Sequence, residues 1–280
     1  MKELVNTLLE KALASKDDNT AIELYHQIID LAPNWHLPYY NLGLAYKYQG
    51  NWSKSYEYNL KATELDPNDN PSWWNLGIAS TVLEKWIDAR NAWNHFGLNL
   101  NITNEPVNLE LNLTPIRLKN GEVVWAKRIC PARAYIKNIP YKKSNRRYDD
   151  LILNDGVPNG TRIVDGQEYP VFDELDLIQP SGFTTYSIGV RVQNRESLER
   201  LDNICHNAGA AFENWTDSTA VICKQCSEGT PCEIHNQEPS EERTFDFEYH
   251  IAIATTSKED LDTILQEWTY GSKNVVNWID

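Results

Sequence analysis

His36–Asp69 reads HLPYYNLGLAYKYQGNWSKSYEYNLKATELDPND. Apolar and aromatic residues recur at helical spacing on both sides of Gly50-Asn51, and the stretch closes on Asp66-Pro67. This predicts two amphipathic helices joined by a polar turn. The pattern then repeats. Leu42-Gly43 returns as Leu76-Gly77, Pro33 as Pro67, Tyr39 as Trp73 and Ala62 as Phe96, all at one constant interval. Extended backwards, the register sets Leu8 against Leu42, and Ala21 against Ser55 and Ala89. A fixed period of this length means stacked supersecondary units, because one helical hairpin cannot bury its own apolar face. The repeated Gly marks a close approach of two helices, where a side chain would hold them apart. Asn70-Pro71 reads as an N-cap followed by a proline in the first turn.

An aromatic, a Leu-Gly pair, a later small residue, a large residue four further on and a closing Pro form the pattern of the tetratricopeptide repeat (TPR). The chain resembles that family over Lys2–Trp35, His36–Asp69 and Asn70–Thr103; the first copy lacks the Gly. The resemblance implies an all-α array of three helical hairpins over residues 1–103. It also implies a ligand-binding face lined by the first helix of each hairpin. The matching positions are Leu37, Tyr40, Leu44, Lys47 and Tyr48 in the second copy and Trp74, Ile78 and Val82 in the third. Glu3, Asn6 and Glu10 match in the first. Family members that grip a C-terminal carboxylate use Lys and Asn on these helices. Tyr40 and Leu44 occupy two of those positions here, so an aromatic and apolar mode of protein binding is expected instead.

From about Asn104 the period changes. Asn120-Gly121 stands between β-rich runs and signals a hairpin. Gly and Pro then punctuate the chain at short intervals, predicting a small β-barrel-like unit over Leu113–Pro180 within residues 104–180. Beyond it, TTYSIGVRVQ alternates as a strand, and an Asn-capped helix ends at Gly209. AFENWTDSTAVIC reads as one bent strand or a hairpin. TFDFEYHIAIAT alternates, and Ser257 caps a helix that stops before Gly271. With a closing strand at VVNWI, the order over residues 181–280 is βαββαβ, that of a ferredoxin-like unit. The expected fold class is α+β.

The sharpest chemical pattern is Cys223-x2-Cys226-x5-Cys232-x2-His235. Two pairs of soft or borderline ligands at short spacing suit a tetrahedral structural zinc. Pro231-Cys232 is similar to half of a zinc deaminase motif, but no His is followed two positions later by Glu, so the proton shuttle is missing. The Cys205-His206 pair falls on a helix, where neighbours diverge; a core Cys and an exposed His are expected. Neither a phosphate-binding Gly-rich loop nor a GxSxG elbow occurs. Lys142, Lys143, Arg146 and Arg147 form a basic cluster, read as a solvated loop.

Forty acidic against 26 basic side chains leave a net charge of −14. Such a chain repels nucleic acid and anionic membrane and attracts basic partners. The amphipathic N-terminus and the absence of any long apolar run predict a cytoplasmic protein. LTPIRLKNGEVVWAKRI together with EYPVFDEL resembles bacterial TPR proteins encoded near toxins, which implies an immunity protein that neutralises a toxin; the acidic charge of this chain suits a basic one. The expected function is therefore non-catalytic protein binding. The alternative is an enzyme or regulator whose site lies in the C-terminal α+β region, with the TPR recruiting substrate.

Overall fold

The computed structural model describes residues 2–164, 166–192, 194–218, 248–272 and 274–278. Contacts divide the chain into two compact units. The first comprises Met1–Leu109 with Ile129–Ala132; the second comprises Glu110–Arg128 with Arg133–Asp280.

The first unit is helical: α1 (Lys2–Ala14), α2 (Asp18–Leu31), α3 (His36–Tyr48), α4 (Trp52–Leu65), α5 (Asn70–Val82) and α6 (Trp86–His95). The odd-numbered helices begin at positions 2, 36 and 70 and the even-numbered at 18, 52 and 86, so every hairpin starts one constant period after the last. Side-chain caps mark three of these starts, those of α2, α4 and α5. Asp17, Asn51 and Asp69 each accept a backbone N–H from three positions further on. The cap of α5 is thus Asp69, one position before the expected Asn70. Its carboxylate bonds both the amide and the hydroxyl of Ser72, and Pro71 stands inside the first turn, where its missing N–H costs nothing.

The glycine notches have a direct measure. A Cβ on Gly43 would lie 2.3 Å from the buried Asn59 amide, and one on Gly77 would lie 2.6 Å from the Trp93 ring. Asn59 and Trp93 themselves stand one period apart, so the same notch receives a small amide in one hairpin and an indole in the next. The Ser55 hydroxyl donates to the Gly43 carbonyl at 2.9 Å across the first crossing. After α6 the guanidinium of Arg90 donates to the carbonyls of Asn101, Glu105 and Pro106 at 2.9–3.2 Å. The Asn94 amide exchanges hydrogen bonds with the Leu100 backbone. A non-helical segment therefore lies where the period would place another helix.

The second unit holds two sheets. Strands β1 (Leu113–Arg117), β2 (Val123–Cys130), β3 (Arg133–Ile136), β4 (Leu151–Val164) and β5 (Gln167–Gln179) follow one another in order, and β1 returns parallel to β5 to close the sheet. Asn120-Gly121 turns the β1–β2 hairpin with Gly121 at φ +89°, a conformation open to glycine. Ile116, Leu118, Val124, Ala126, Ala134, Ile136 and Ile152 fill the interior. Arg146 pairs with the almost fully buried Glu174, whose second oxygen accepts the Lys119 amide.

The second sheet is built from β6 (Thr184–Arg191), α7 (Glu196–Asn207), β7 (Ala211–Asn214), a helical turn α8 (Trp215–Ser218), β8 (Glu248–Thr255), α9 (Lys258–Thr269) and β9 (Val275–Trp278). Its strand order is β7-β8-β6-β9, with every neighbour antiparallel. Leu198, Leu201, Leu261, Ile264 and Trp268 of the two helices pack on Ile188, Val190, Ile251 and Ile253. Ser257 accepts the Asp260 amide and caps α9 as expected; the N-cap of α7 is Arg195, with no side-chain cap bond, and Asn194 one position earlier accepts the Ser197 amide and hydroxyl. The bent strand or hairpin expected over 211–223 is, as far as it is described, the short strand β7 and a helical turn. Asn214 accepts the Thr216 amide at 3.0 Å, which turns the chain after β7. Trp215 is buried at this turn, and its indole N–H donates to the Ile139 carbonyl at 3.2 Å.

The opposite sheet face shares a core with residues that follow β3. Ile139, Trp215, Ala252 and Ala254 cluster with Tyr141, Tyr148 and Phe183. Glu213 accepts the Ile139 amide at 2.7 Å and the Asn138 side chain at 3.2 Å. These ties join the two sheets within the second unit.

Candidate functional site

The residues matched to a ligand-binding face are not equally placed. Tyr48, at the end of α3, is 67% exposed. Leu37, Tyr40 and Leu44 on the same helix are half-buried, as is Val82 on α5. Ile78 is buried. Lys47 is also buried, and its ammonium donates to Asn75 Oδ1 at 3.2 Å, joining α3 to α5. Trp74 meets the Trp93 and Phe96 rings edge-on at 5.2 and 4.9 Å. Trp74, Ile78 and Lys47 thus hold the helices together. Glu3, Asn6 and Glu10 are exposed on α1.

Tyr48 is therefore the aromatic side chain most available to another molecule on these helices. Its ring lies 5.1 Å from the Lys47 ammonium, so the ring already has a cation beside it. An exposed phenol offers apolar area with a polar tip, the combination that anchors protein interfaces. Sequence periodicity alone could not sort these positions. The same helical spacing serves a surface stripe and a helix–helix contact.

The basic cluster is mostly engaged within the second unit. Arg146 is paired with Glu174, and Arg147 donates to the Phe183 carbonyl at 3.2 Å. Lys143 lies 5.7 Å from the Tyr141 ring, and Lys142 is exposed. Cys205 is buried, which pushes its thiol up to about 12, with the charge of Asp202 adding to the rise. It belongs to the core, and His206 beside it is exposed.

One pair escaped the sequence reading. Ser187 Oγ on β6 lies 2.6 Å from His250 Nε2 on β8. The His250 ring stands edge-on to Trp215 at 5.1 Å, and its amide donates to the Thr216 hydroxyl at 2.7 Å. A Ser–His contact is the first half of an activated nucleophile, which also needs an orienting group behind the histidine. Among the described residues no carboxylate bonds this ring. Alternation along each strand puts Ser187 and His250 opposite Ile188 and Ile251, but pairing of β6 with β8 is long-range and left no local signal.

Cys223, Cys226, Cys232 and His235, the expected zinc ligands, lie outside the described residues. Among the described residues no group of three His, Cys, Asp or Glu side chains could hold a metal ion. No helix among them is long and apolar enough to cross a membrane. No protein-family model matches the chain.

Proposed function

We propose that this chain is a non-catalytic, cytoplasmic protein-binding protein of the TPR class. The observation that carries the reading is the constant-period recurrence of helical hairpins, with glycine notches at Gly43 and Gly77 and an exposed Tyr48 on the first-helix face. Short arrays of this kind work as rigid platforms, since each hairpin is fixed by its neighbours. The strand order β7-β8-β6-β9 supports a ferredoxin-like reading of the second sheet, and the return of β1 to β5 supports a small barrel before it. The acidic balance of the chain favours a basic partner, through steered association and charge complementarity. In its specific form the reading is an immunity protein that binds and neutralises a basic toxin domain. Cys223, Cys226, Cys232 and His235 would hold a structural zinc with all four positions filled by protein.

A pull-down from the native host tests it, comparing the wild type with Tyr48→Ala. Trp74→Ala is a poor companion, because that ring is packed on Trp93 and Phe96. Loss of one basic protein with Tyr48→Ala supports the reading; full recovery of every partner removes Tyr48 from the binding surface.

The alternative is an enzyme in the C-terminal region, and the Ser187–His250 contact is what favours it. A serine-directed fluorophosphonate probe would then label the wild type and spare Ser187→Ala. No labelling of the wild type removes Ser187–His250 as the support for that alternative.

A further inference from the structure

We propose that an open cleft beside α4 is a seat for an arginine side chain presented by a basic protein partner. The cleft measures about 360 Å³ and is lined by Tyr39, Tyr56, Glu57, Tyr58, Lys61 and Glu64. This is a different surface from that of Tyr48. It rests on the reading of the chain as a protein-binding protein with a basic partner.

Three tyrosines and two carboxylates point to a cation. The hydroxyls of two of the rings are already used. Tyr39 donates to the Pro33 carbonyl at 3.0 Å, and Tyr56 donates to Asp88 at 2.8 Å. Tyr58 is fixed by stacking on Tyr46, at 5.6 Å and nearly parallel. The rings are thus held in place; Tyr56 already has Lys85 over it and Tyr58 has Tyr46 on one face, so the π surface on offer is chiefly that of Tyr39. The fold already uses that chemistry internally. Lys54 lies 4.6 Å from the Tyr46 ring, Lys85 lies 4.7 Å from Tyr56, and Lys47 lies 5.1 Å from Tyr48.

Charge selects the occupant. Lys61 is the cleft's own cation and is committed to Glu64 at 2.9 Å. Glu57 is exposed and makes no ion pair among the described residues. Burial first, then Tyr46 and the charge of Glu57, raise the pKa of the Tyr58 hydroxyl, so the Glu57 carboxylate is felt inside the cleft. The cleft therefore carries one uncompensated carboxylate beside fixed aromatic rings. A guanidinium fits this better than an ammonium, because its plane stacks on a ring while its edge donates in a fork to a carboxylate. The sequence is consistent with local specialisation: the same register in the first hairpin has Gln27 for Lys61 and Asp30 for Glu64, but Val5 for Tyr39.

The test uses the full chain and an acetylated Gly-Arg-Gly-Arg-Gly peptide, with citrulline replacing arginine in the control peptide. At low salt the arginine peptide should bind about tenfold tighter than the neutral control. Glu57→Gln should weaken it several-fold, while Glu10→Gln on α1 leaves it unchanged. Tyr39→Phe keeps the ring and should keep binding; Tyr39→Leu should lose it. Equal weakening by Glu57→Gln and Glu10→Gln, or equal binding of the citrulline peptide, overturns the proposal. Either result leaves the Tyr48 pull-down standing, since that experiment reads a different surface.

Discussion

Tyr39 and Trp73, at the same register in successive hairpins, make the same hydrogen bond with different chemistry. The Tyr39 hydroxyl donates to the Pro33 carbonyl at 3.0 Å, and the Trp73 indole N–H donates to the Pro67 carbonyl at 2.8 Å. Each aromatic ring reaches back to fasten the turn that precedes its own helix. Proline has no N–H to offer, so its carbonyl is the group through which such a turn can be latched. Tyr39→Phe and Trp73→Phe should each cost about 0.5–1.5 kcal/mol in urea unfolding, the usual worth of one hydrogen bond. Trp73→Phe should cost more than Tyr39→Phe, because Trp73 also stacks on His95 at 4.9 Å.

Substitutions at the notches should rank by what fills them. Gly77→Ala drives a methyl into the buried Trp93 ring, and Gly43→Ala drives one into Asn59. Overpacking costs about 1–3 kcal/mol, and the indole has less room to retreat. Gly77→Ala should therefore melt lower than Gly43→Ala by differential scanning calorimetry, and both below the wild type.

The Arg146–Glu174 pair should be the costliest polar contact to break. Glu174 has almost no exposed surface and also accepts the Lys119 amide. Arg146→Ala strands a buried carboxylate, for which about 3–5 kcal/mol is expected. Replacing both residues, as Arg146→Met with Glu174→Leu, should recover part of that loss in chemical denaturation. A double variant no more stable than Arg146→Ala would mean the pair is not isolated by burial.

Alkaline pH should destabilise the fold in a defined window. Burial raises the Cys205 thiol from 9.0 to about 12, and burial with the bond to Asp88 raises the Tyr56 hydroxyl from 10.0 to about 12. Both groups lose their protons earlier in the unfolded chain. The stability they contribute is complete below about pH 9 and is lost as pH rises towards 12. Cys205→Ala should show a constant packing penalty below pH 8 that narrows above pH 9. Native Cys205 should also resist a thiol reagent until the protein unfolds.

The helical half was legible because its period is local. Gly43 and Gly77, Pro33 and Pro67, and Tyr39 and Trp73 announce one register, each pair separated by a single hairpin. The hairpin turn at Asn120-Gly121 and the cap at Ser257 in the second half were also legible, and the α7 start was read to within one position of Arg195. What could not be read was long-range. Nothing near Ser187 points to His250, and nothing near Glu213 points to Ile139. The same limit applied to the candidate face. Lys47 and Tyr48 are adjacent in sequence and alike in pattern, yet one joins two helices and the other faces outward, a difference set by Asn75 on α5. Asp69 displaced Asn70 as the cap because Ser72 lies within reach of its carboxylate.

Arg90 has a consequence for how the hairpins could be extended. Its guanidinium holds the backbone of residues 101–106 against the last helix, where one more hairpin would otherwise continue the array. A duplication of a hairpin at that junction would have to displace those carbonyls before the new unit could stack. Arg90, with Asn94 on the Leu100 backbone, thus acts as a stopper, and an added hairpin at that end would have to break both sets of bonds.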